Sequence, residues 1–245
     1  LTTKVPQQPS TTGLDEPLLG NYFVATYPPF SCWSRDGVAQ VQRTLATRPA
    51  TVAPLGLYVH VPFCAHRCHF CYYHSYACMP REETDLYVDT LVRELAIYAQ
   101  TPALAGRSLA FAYFGGGTPS ILSPEQIHRC LRGLQGSIPW NSVEEITFEC
   151  APQSTSESRL HVLRDCGVSR ISLGVQQLND VVLQNSGRIH RVNDVERAYA
   201  AIRRVGFDVV NIDLMVGMVG ETDESFADSL EHAIRMQPDS VTIYQ

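Results

Sequence analysis

The chain has 245 residues, 44% of them hydrophobic, and a formal net charge of −6. That length buries one sizeable core, as one large α/β domain or two small ones, and the acidic balance leaves no electrostatic footprint for nucleic acid. No apolar run reaches the roughly 18 residues a membrane-spanning helix needs, so no membrane is expected as a partner.

Of the 19 basic residues all but Lys4 are arginine. Lys4 lies in a Pro/Gln/Ser/Thr-rich opening that reads as disordered. Schiff-base and pyridoxal phosphate chemistry need a placed lysine, and so does a Walker-type phosphate loop. None of these fits. Eight cysteines are present. Cys32, Cys130, Cys150 and Cys166 are scattered and read as reduced, buried thiols. A secreted disulfide scaffold would be shorter and denser in cysteine, and no signal-like series opens the chain, so the expected compartment is the cytoplasm. With Leu1 at one end and Gln245 just after a strand-like run, the sequence reads as a fragment of a longer protein.

Residues 1–54 read as an N-terminal extension, partly disordered. It includes an aromatic segment, 22–30, that fits either a strap over the main domain or part of a substrate site. From residue 55 a rhythm sets in. A buried strand is expected at 57–61 and an amphipathic helix at 82–100, with Leu86, Leu91, Leu95 and Tyr98 near helical spacing. A strand follows at 109–114. Ser123 then opens a helix, with Pro124 at its first position and Gln126 three residues on. Further strands are expected at 144–149, 169–175, 209–215 and 240–244. Helices are expected at 156–166, at 193–205 with Gly206 as its stop, and at 224–236. Strands alternating with helices imply parallel strands with right-handed crossovers. Six units suggest a partial (β/α) barrel or a doubly wound sheet, filling 55–245.

The strongest chemical signal is Cys64, Cys68 and Cys71, spaced C-x3-C-x2-C just after the first strand. Thiolates are the usual ligands of iron–sulfur clusters. Three close cysteines can hold three irons of a cubane and leave the fourth open to a small chelator. The competing reading is a zinc site completed by Cys78, His66, His69 or His74. Zinc spacings pair two close ligands with two distant ones, and no second close pair appears.

Reactive residues of parallel α/β folds sit at the carboxyl ends of strands. The cysteines follow the first strand, Gly115-Gly116-Gly117-Thr118-Pro119 ends the second and Glu149 the third. Gln176 ends the fourth, with Arg188 in the next connection, and Asp213 lies near the end of the fifth. Each has a bland reading alone: a turn, or a satisfied structural side chain. Together on one rim they suit a ligand. Glycines let it approach the backbone, Glu149 can bind a ribose diol or an amine, and Arg188 can hold a carboxylate. Amine, carboxylate and ribose are the groups of S-adenosylmethionine (SAM).

The string Tyr58-Val-His60-Val-Pro62-Phe63-Cys64 with the cysteine triad resembles the radical SAM superfamily, and within it the oxygen-independent coproporphyrinogen III oxidase branch. The strings at 113–119, 170–176, 187–190 and 211–214 support it. The resemblance implies a partial (β/α)6 TIM-like barrel of the radical SAM type, truncated at its C-terminal side. It also implies a [4Fe–4S] cluster on Cys64, Cys68 and Cys71, and reductive cleavage of SAM to a 5′-deoxyadenosyl radical. By similarity, Tyr58, Gly116 and Glu149 would contact the cluster-bound SAM. Phe70, Gly117, Thr118, Gln176, Arg188 and Asp213 would hold a second SAM. The electron donor would be a flavodoxin or ferredoxin, and the substrate a small molecule.

Two departures bear on the reaction. The porphyrin-decarboxylating enzyme has a fourth cysteine where this chain has Tyr73. The family's Glu-x-Asn/Thr-Pro is here Glu149-Cys150-Ala151-Pro152. The segment 68–73, with Tyr27-Pro28-Pro29-Phe30 upstream, looks more like a related group that methylates or cyclopropanates natural products with two SAM molecules. Methyl transfer or cyclopropanation of an unsaturated molecule is therefore expected. Porphyrinogen decarboxylation and haem chaperoning are the alternatives.

Overall fold

The computed structural model describes residues 34–51 and 53–245. The expected flexible lead, the aromatic segment at 22–30, Lys4 and Cys32 lie outside the described residues. Contacts divide the chain into a unit ending at Arg43 and a second, Thr44–Gln245, which carries the sheet. The first described element is α1 (Asp36–Leu45), which the periodicity did not announce.

The strands are β1 (Leu55–Val61), β2 (Phe63–Cys64), β3 (Tyr76–Ala77), β4 (Leu109–Gly116), β5 (Glu145–Cys150), β6 (Arg170–Gln176), β7 (Val209–Met215) and β8 (Ser240–Tyr244). The helices after α1 are α2 (Arg81–Ala99), α3 (Pro124–Ser137), α4 (Glu157–Asp165), α5 (Asp180–Asn185), α6 (Val192–Val205) and α7 (Asp223–Met236). Six strands form one parallel sheet in the order β1-β4-β5-β6-β7-β8. A doubly wound sheet would reverse its strand order partway. This order never reverses, so the sheet winds in one direction as a partial barrel.

Local chemistry accounts for the boundaries. Ser123 and Gln126 close a reciprocal cap on α3: Gln126 N donates to Ser123 Oγ at 3.2 Å and Ser123 N to Gln126 Oε1 at 2.9 Å. Helix α6 stops at Gly206, whose φ of 83° is a left-handed conformation that glycine adopts freely. Beyond α1 and the short β2–β3 pair, two further features differ from expectation. Strand β4 runs two residues past Phe114, because Gly115 and Gly116 continue the pairing with His60 and Val61. Helix α5 is an added element, six residues long, capped by the Asn179 side chain; so short a helix leaves no periodic trace.

Strand residues alternate between two environments. Val59, Val61, Phe114, Phe148, Ile171, Leu173, Val210 and Ile212 are buried on the helix-facing side, where Phe114 and Phe148 stack with centroids 5.4 Å apart. Tyr58, Tyr113, Glu149, Ser172 and Asp213 alternate with them on the inner face. The core therefore sits outside the sheet, and the barrel interior is left to polar and aromatic groups. No helix among the described residues is long and apolar enough to cross a membrane.

Candidate functional site

The cysteine loop leaves the end of β1 and is closed at its base by the short parallel pair of β2 and β3. Tyr76 N donates to Pro62 O at 2.7 Å and Cys78 N to Cys64 O at 3.1 Å. Cys64 is buried at this base, while Cys68 and Cys71 are half-buried further along. Burial pushes the Cys64 thiol up, against the lowering effect of a 3.5 Å hydrogen bond from Thr118 Oγ1. Arg188 Nη1 donates to Cys68 Sγ at 3.3 Å. Two of the three sulfurs thus receive a hydrogen bond, a contact that tunes a cluster-ligating thiolate.

Among the described residues no three His, Cys, Asp or Glu side chains converge on a point that could hold a single metal ion. A mononuclear zinc site needs such convergence. A cubane asks for less, because each thiolate binds its own iron at a separate corner. Cys78 turns its thiol to Ala65 O at 3.2 Å.

The glycine stretch is locked to the strand that carries the first cysteine. Gly117 N donates to Val61 O and Thr118 N to Phe63 O, both at 2.8 Å. A Cβ on Gly117 would stand 2.8 Å from Phe63 O and 2.9 Å from Val61 O, both backbone atoms, so only glycine fits. Gly116 has φ 111° and faces the His60 ring.

Glu149 joins this ledge directly. Gly116 N donates to its Oε2 at 3.2 Å and Tyr113 OH to its Oε1 at 2.7 Å. Gly115, lacking a Cβ, leaves the room that the carboxylate takes. Burial still pushes Glu149 up to about 7, because both of its bonds come from neutral donors. A cationic group such as an ammonium would supply the opposite charge the pocket lacks. Tyr58 stacks on Tyr113 at 6.0 Å, and its OH lies 3.1 Å from His60 Nδ1. Cysteines, glycines, Tyr58 and Glu149 therefore occupy one end of the barrel.

Three more of the expected residues, Arg188, Asp213 and Gln176, gather beside Gly174. Arg188 Nη2 donates to Gly174 O at 2.8 Å, Asp213 pairs with Gly174 in register, and Gln176 Nε2 lies 3.1 Å from where a Gly174 Cβ would stand. Gln176 has φ 68°, a left-handed conformation costly for a residue with a side chain and common at ligand sites. Asp213 is raised by burial, and accepts from Ser172 Oγ at 2.9 Å and Asn211 Nδ2 at 2.8 Å. Phe70 lies half-buried in the cysteine loop. Tyr113, Ser172 and Asn211 were not singled out as site residues. Their signal is spacing, since each lies two residues from, or in register with, a residue that was. Tyr72 and Tyr73, stacked at 4.7 Å, add an aromatic face above this rim.

A one-way parallel sheet with a three-cysteine loop after its first strand, facing a glycine ledge and a buried carboxylate, defines a cluster-binding barrel of the radical SAM kind. The chain matches the Radical SAM superfamily over residues 58–233, and belongs to it. The cofactors of that family are a [4Fe–4S] cluster and SAM. The chain is 33% identical over 205 residues to the anaerobic coproporphyrinogen III oxidase 1 of Cereibacter sphaeroides, covering 84% of this chain and 45% of that protein. It is 32% identical to the heme chaperone HemW of Bacillus subtilis, covering 76% and 49%. Among solved structures, coproporphyrinogen III oxidase (HemN) from Escherichia coli superposes with a TM-score of 0.75 at 32% identity, covering 86% of this chain and 47% of that one. The chain spans about half the length of these relatives.

Proposed function

We propose that this chain carries the SAM-cleaving site of a radical SAM enzyme, with Cys64, Cys68 and Cys71 as the cluster ligands. The observation that carries the reading is the direct bond between Glu149 and Gly116 N, on a ledge hydrogen-bonded to the strand that leads into Cys64. When bound, the cluster supplies the electron that cleaves SAM. The chain's own residues do the placing. The open backbone at Gly116 and Gly117 admits the ligand closely, Glu149 receives its cationic or diol groups, and Tyr58 offers an aromatic face beside them. By the same resemblance, Phe70, Gly117, Thr118, Gln176, Arg188 and Asp213 would hold a second SAM.

For the reaction, we propose transfer of a methyl-derived carbon to an unsaturated carbon of a small molecule. Support comes from Tyr73 standing where the decarboxylating enzymes carry a fourth cysteine, and from Cys150-Ala151 within the Glu-x-x-Pro motif. A second reading, porphyrinogen oxidation or haem carriage, is favoured by the names of curated relatives, coproporphyrinogen III oxidases and heme chaperones. The test is anaerobic turnover of the full-length protein with SAM and a flavodoxin or ferredoxin donor. Methyl transfer gives 5′-deoxyadenosine and a product heavier by CH2 with carbon from labelled SAM. Decarboxylation gives CO2 from coproporphyrinogen III, and a chaperone binds haem stoichiometrically without turnover. No label in any product sinks the methyl reading, and no 5′-deoxyadenosine formation sinks SAM cleavage.

A further inference from the structure

The cysteine loop has few backbone bonds of its own. Apart from its base, Cys71 N to Cys68 O at 3.2 Å is the internal bond near its tip. The middle of the loop is instead held from across the barrel, by the segment at 185–188 that follows α5. His69 N donates to Ser186 O at 3.2 Å, and His69 Nδ1 lies 3.3 Å from Asn185 O, a contact in which the nitrogen must be the donor. Gly187, at φ 71°, lies against the His69 ring, where a Cβ would come within 2.8 Å. Arg188 completes the set with Nη1 on Cys68 Sγ at 3.3 Å.

That segment is itself rigid. Ser186 N, Gly187 N and Arg188 N donate back to Val182 O, Gln184 O and Leu183 O at 2.9–3.1 Å, and Val182 and Leu183 are buried. The guanidinium cannot swing freely, because Nη2 is fixed on Gly174 O at 2.8 Å. Its Nε is buried without a partner, a further sign that the group is placed for something other than its own solvation.

Building on the assignment of Cys64, Cys68 and Cys71 as cluster ligands, we propose that residues 185–188 are the second anchor of the cysteine loop, and that Arg188, through its N–H···S bond to Cys68, biases the cluster toward its reduced state. A permanent positive charge and a hydrogen bond at a ligating sulfur withdraw electron density from the thiolate. Adding an electron makes the cluster more negative, so both effects favour the reduced form and raise the midpoint potential. Arg188 acts here through the sulfur, as a positioning residue, and His69 and Gly187 hold the loop where that bond can form.

The test uses full-length protein purified anaerobically with its cluster. Iron and sulfide per chain, circular dichroism, and an EPR-monitored redox titration without SAM are measured for wild type, Arg188→Met, Arg188→Lys and Gly187→Ala. Arg188→Met is expected to lower the midpoint by enough to cut the reduced-to-oxidised ratio about tenfold at a fixed potential, which is about 59 mV for a one-electron couple. Arg188→Lys, which keeps the charge without the fork, should shift it less. Gly187→Ala should lose most of its iron while keeping a wild-type dichroism spectrum. Wild-type iron content in both Arg188→Met and Gly187→Ala with an unchanged midpoint in Arg188→Met would overturn the proposal. If Arg188→Met fails to fold, Arg188→Lys decides: a lowered midpoint supports the proposal and an unchanged one overturns it. A wild-type protein without a four-iron cluster would sink the ligand assignment, and this inference with it.

Discussion

Glu149 shows how far one side chain's surroundings can carry an argument. Its folded value of about 7 lies above the ordinary 4.5, with burial as the largest cause. A carboxyl raised in this way keeps its proton in the folded protein while the unfolded chain has lost it. The contribution of this group to stability is therefore fully present below about 4.5 and is lost as pH rises through about 7, by up to about 3 kcal/mol, less where water enters the open barrel. Thermal melts of the cluster-free protein should show this decline between pH 5 and pH 8, and Glu149→Gln should flatten it. The same substitution should weaken SAM binding by roughly tenfold to a hundredfold at pH 8, equivalent to about 1.4–3 kcal/mol for a lost charge-assisted bond; calorimetry reads it. Equal affinities would remove Glu149 from the ligand set. Among the thiols, Cys64→Ala, Cys68→Ala or Cys71→Ala should each abolish 5′-deoxyadenosine formation. Cys130→Ala should leave it largely intact, since Cys130 is buried in the core cluster between sheet and helices.

Elements carry a different kind of information. The cap on α3 was visible as Ser-Pro-x-Gln before any coordinate, because a helix start is a local event involving four residues. Gln126 does more than cap: it is buried, and its Nε2 donates to Thr84 Oγ1 at 2.8 Å and to Asp85 Oδ1 at 3.0 Å, tying α3 to α2. Ser123→Ala should cost about 1 kcal/mol in a urea melt. Gln126→Ala should cost more, since it strands Thr84 and loosens two helices at once. The strands were equally legible from residue 55 onward, their ends misplaced by a residue or two. Helices α1 and α5 and the pairing of β2 with β3 were not. Helix α5 and the two-residue strands are too short for a period to register, and β2 and β3 exist only because the loop between them folds back.

At the scale of the molecule, the barrel and the cluster loop are separable. The large buried side chains stand on the helix-facing side of the sheet, while the cysteine loop is attached at its base and at residues 185–188. Removing the cluster with an oxidant and chelator should leave the far-UV dichroism of the sheet unchanged. It should also speed tryptic cleavage at Arg67, an exposed residue in the loop. Collapse of the dichroism on iron removal would show that the barrel depends on its metal. Phe148→Ala, by contrast, should destabilise the whole sheet by about 3–5 kcal/mol, because Phe148 is 2% exposed and stacks on Phe114.

The sequence by itself determined the class of fold and the chemistry of the first cofactor. Alternating strand and helix periods, a tight cysteine triad and glycines at a strand end are all written within short windows, where local sterics and ligand spacing leave few options. What only the tertiary structure decided is which distant residues meet. The one-way strand order excluded a doubly wound sheet, and it put Glu149 on Gly116, Arg188 on Cys68 and His69 against Gly187. Those contacts join residues 33 to 120 positions apart. No local propensity encodes them; they follow from the parallel register and from the side of the sheet on which each chain segment returns.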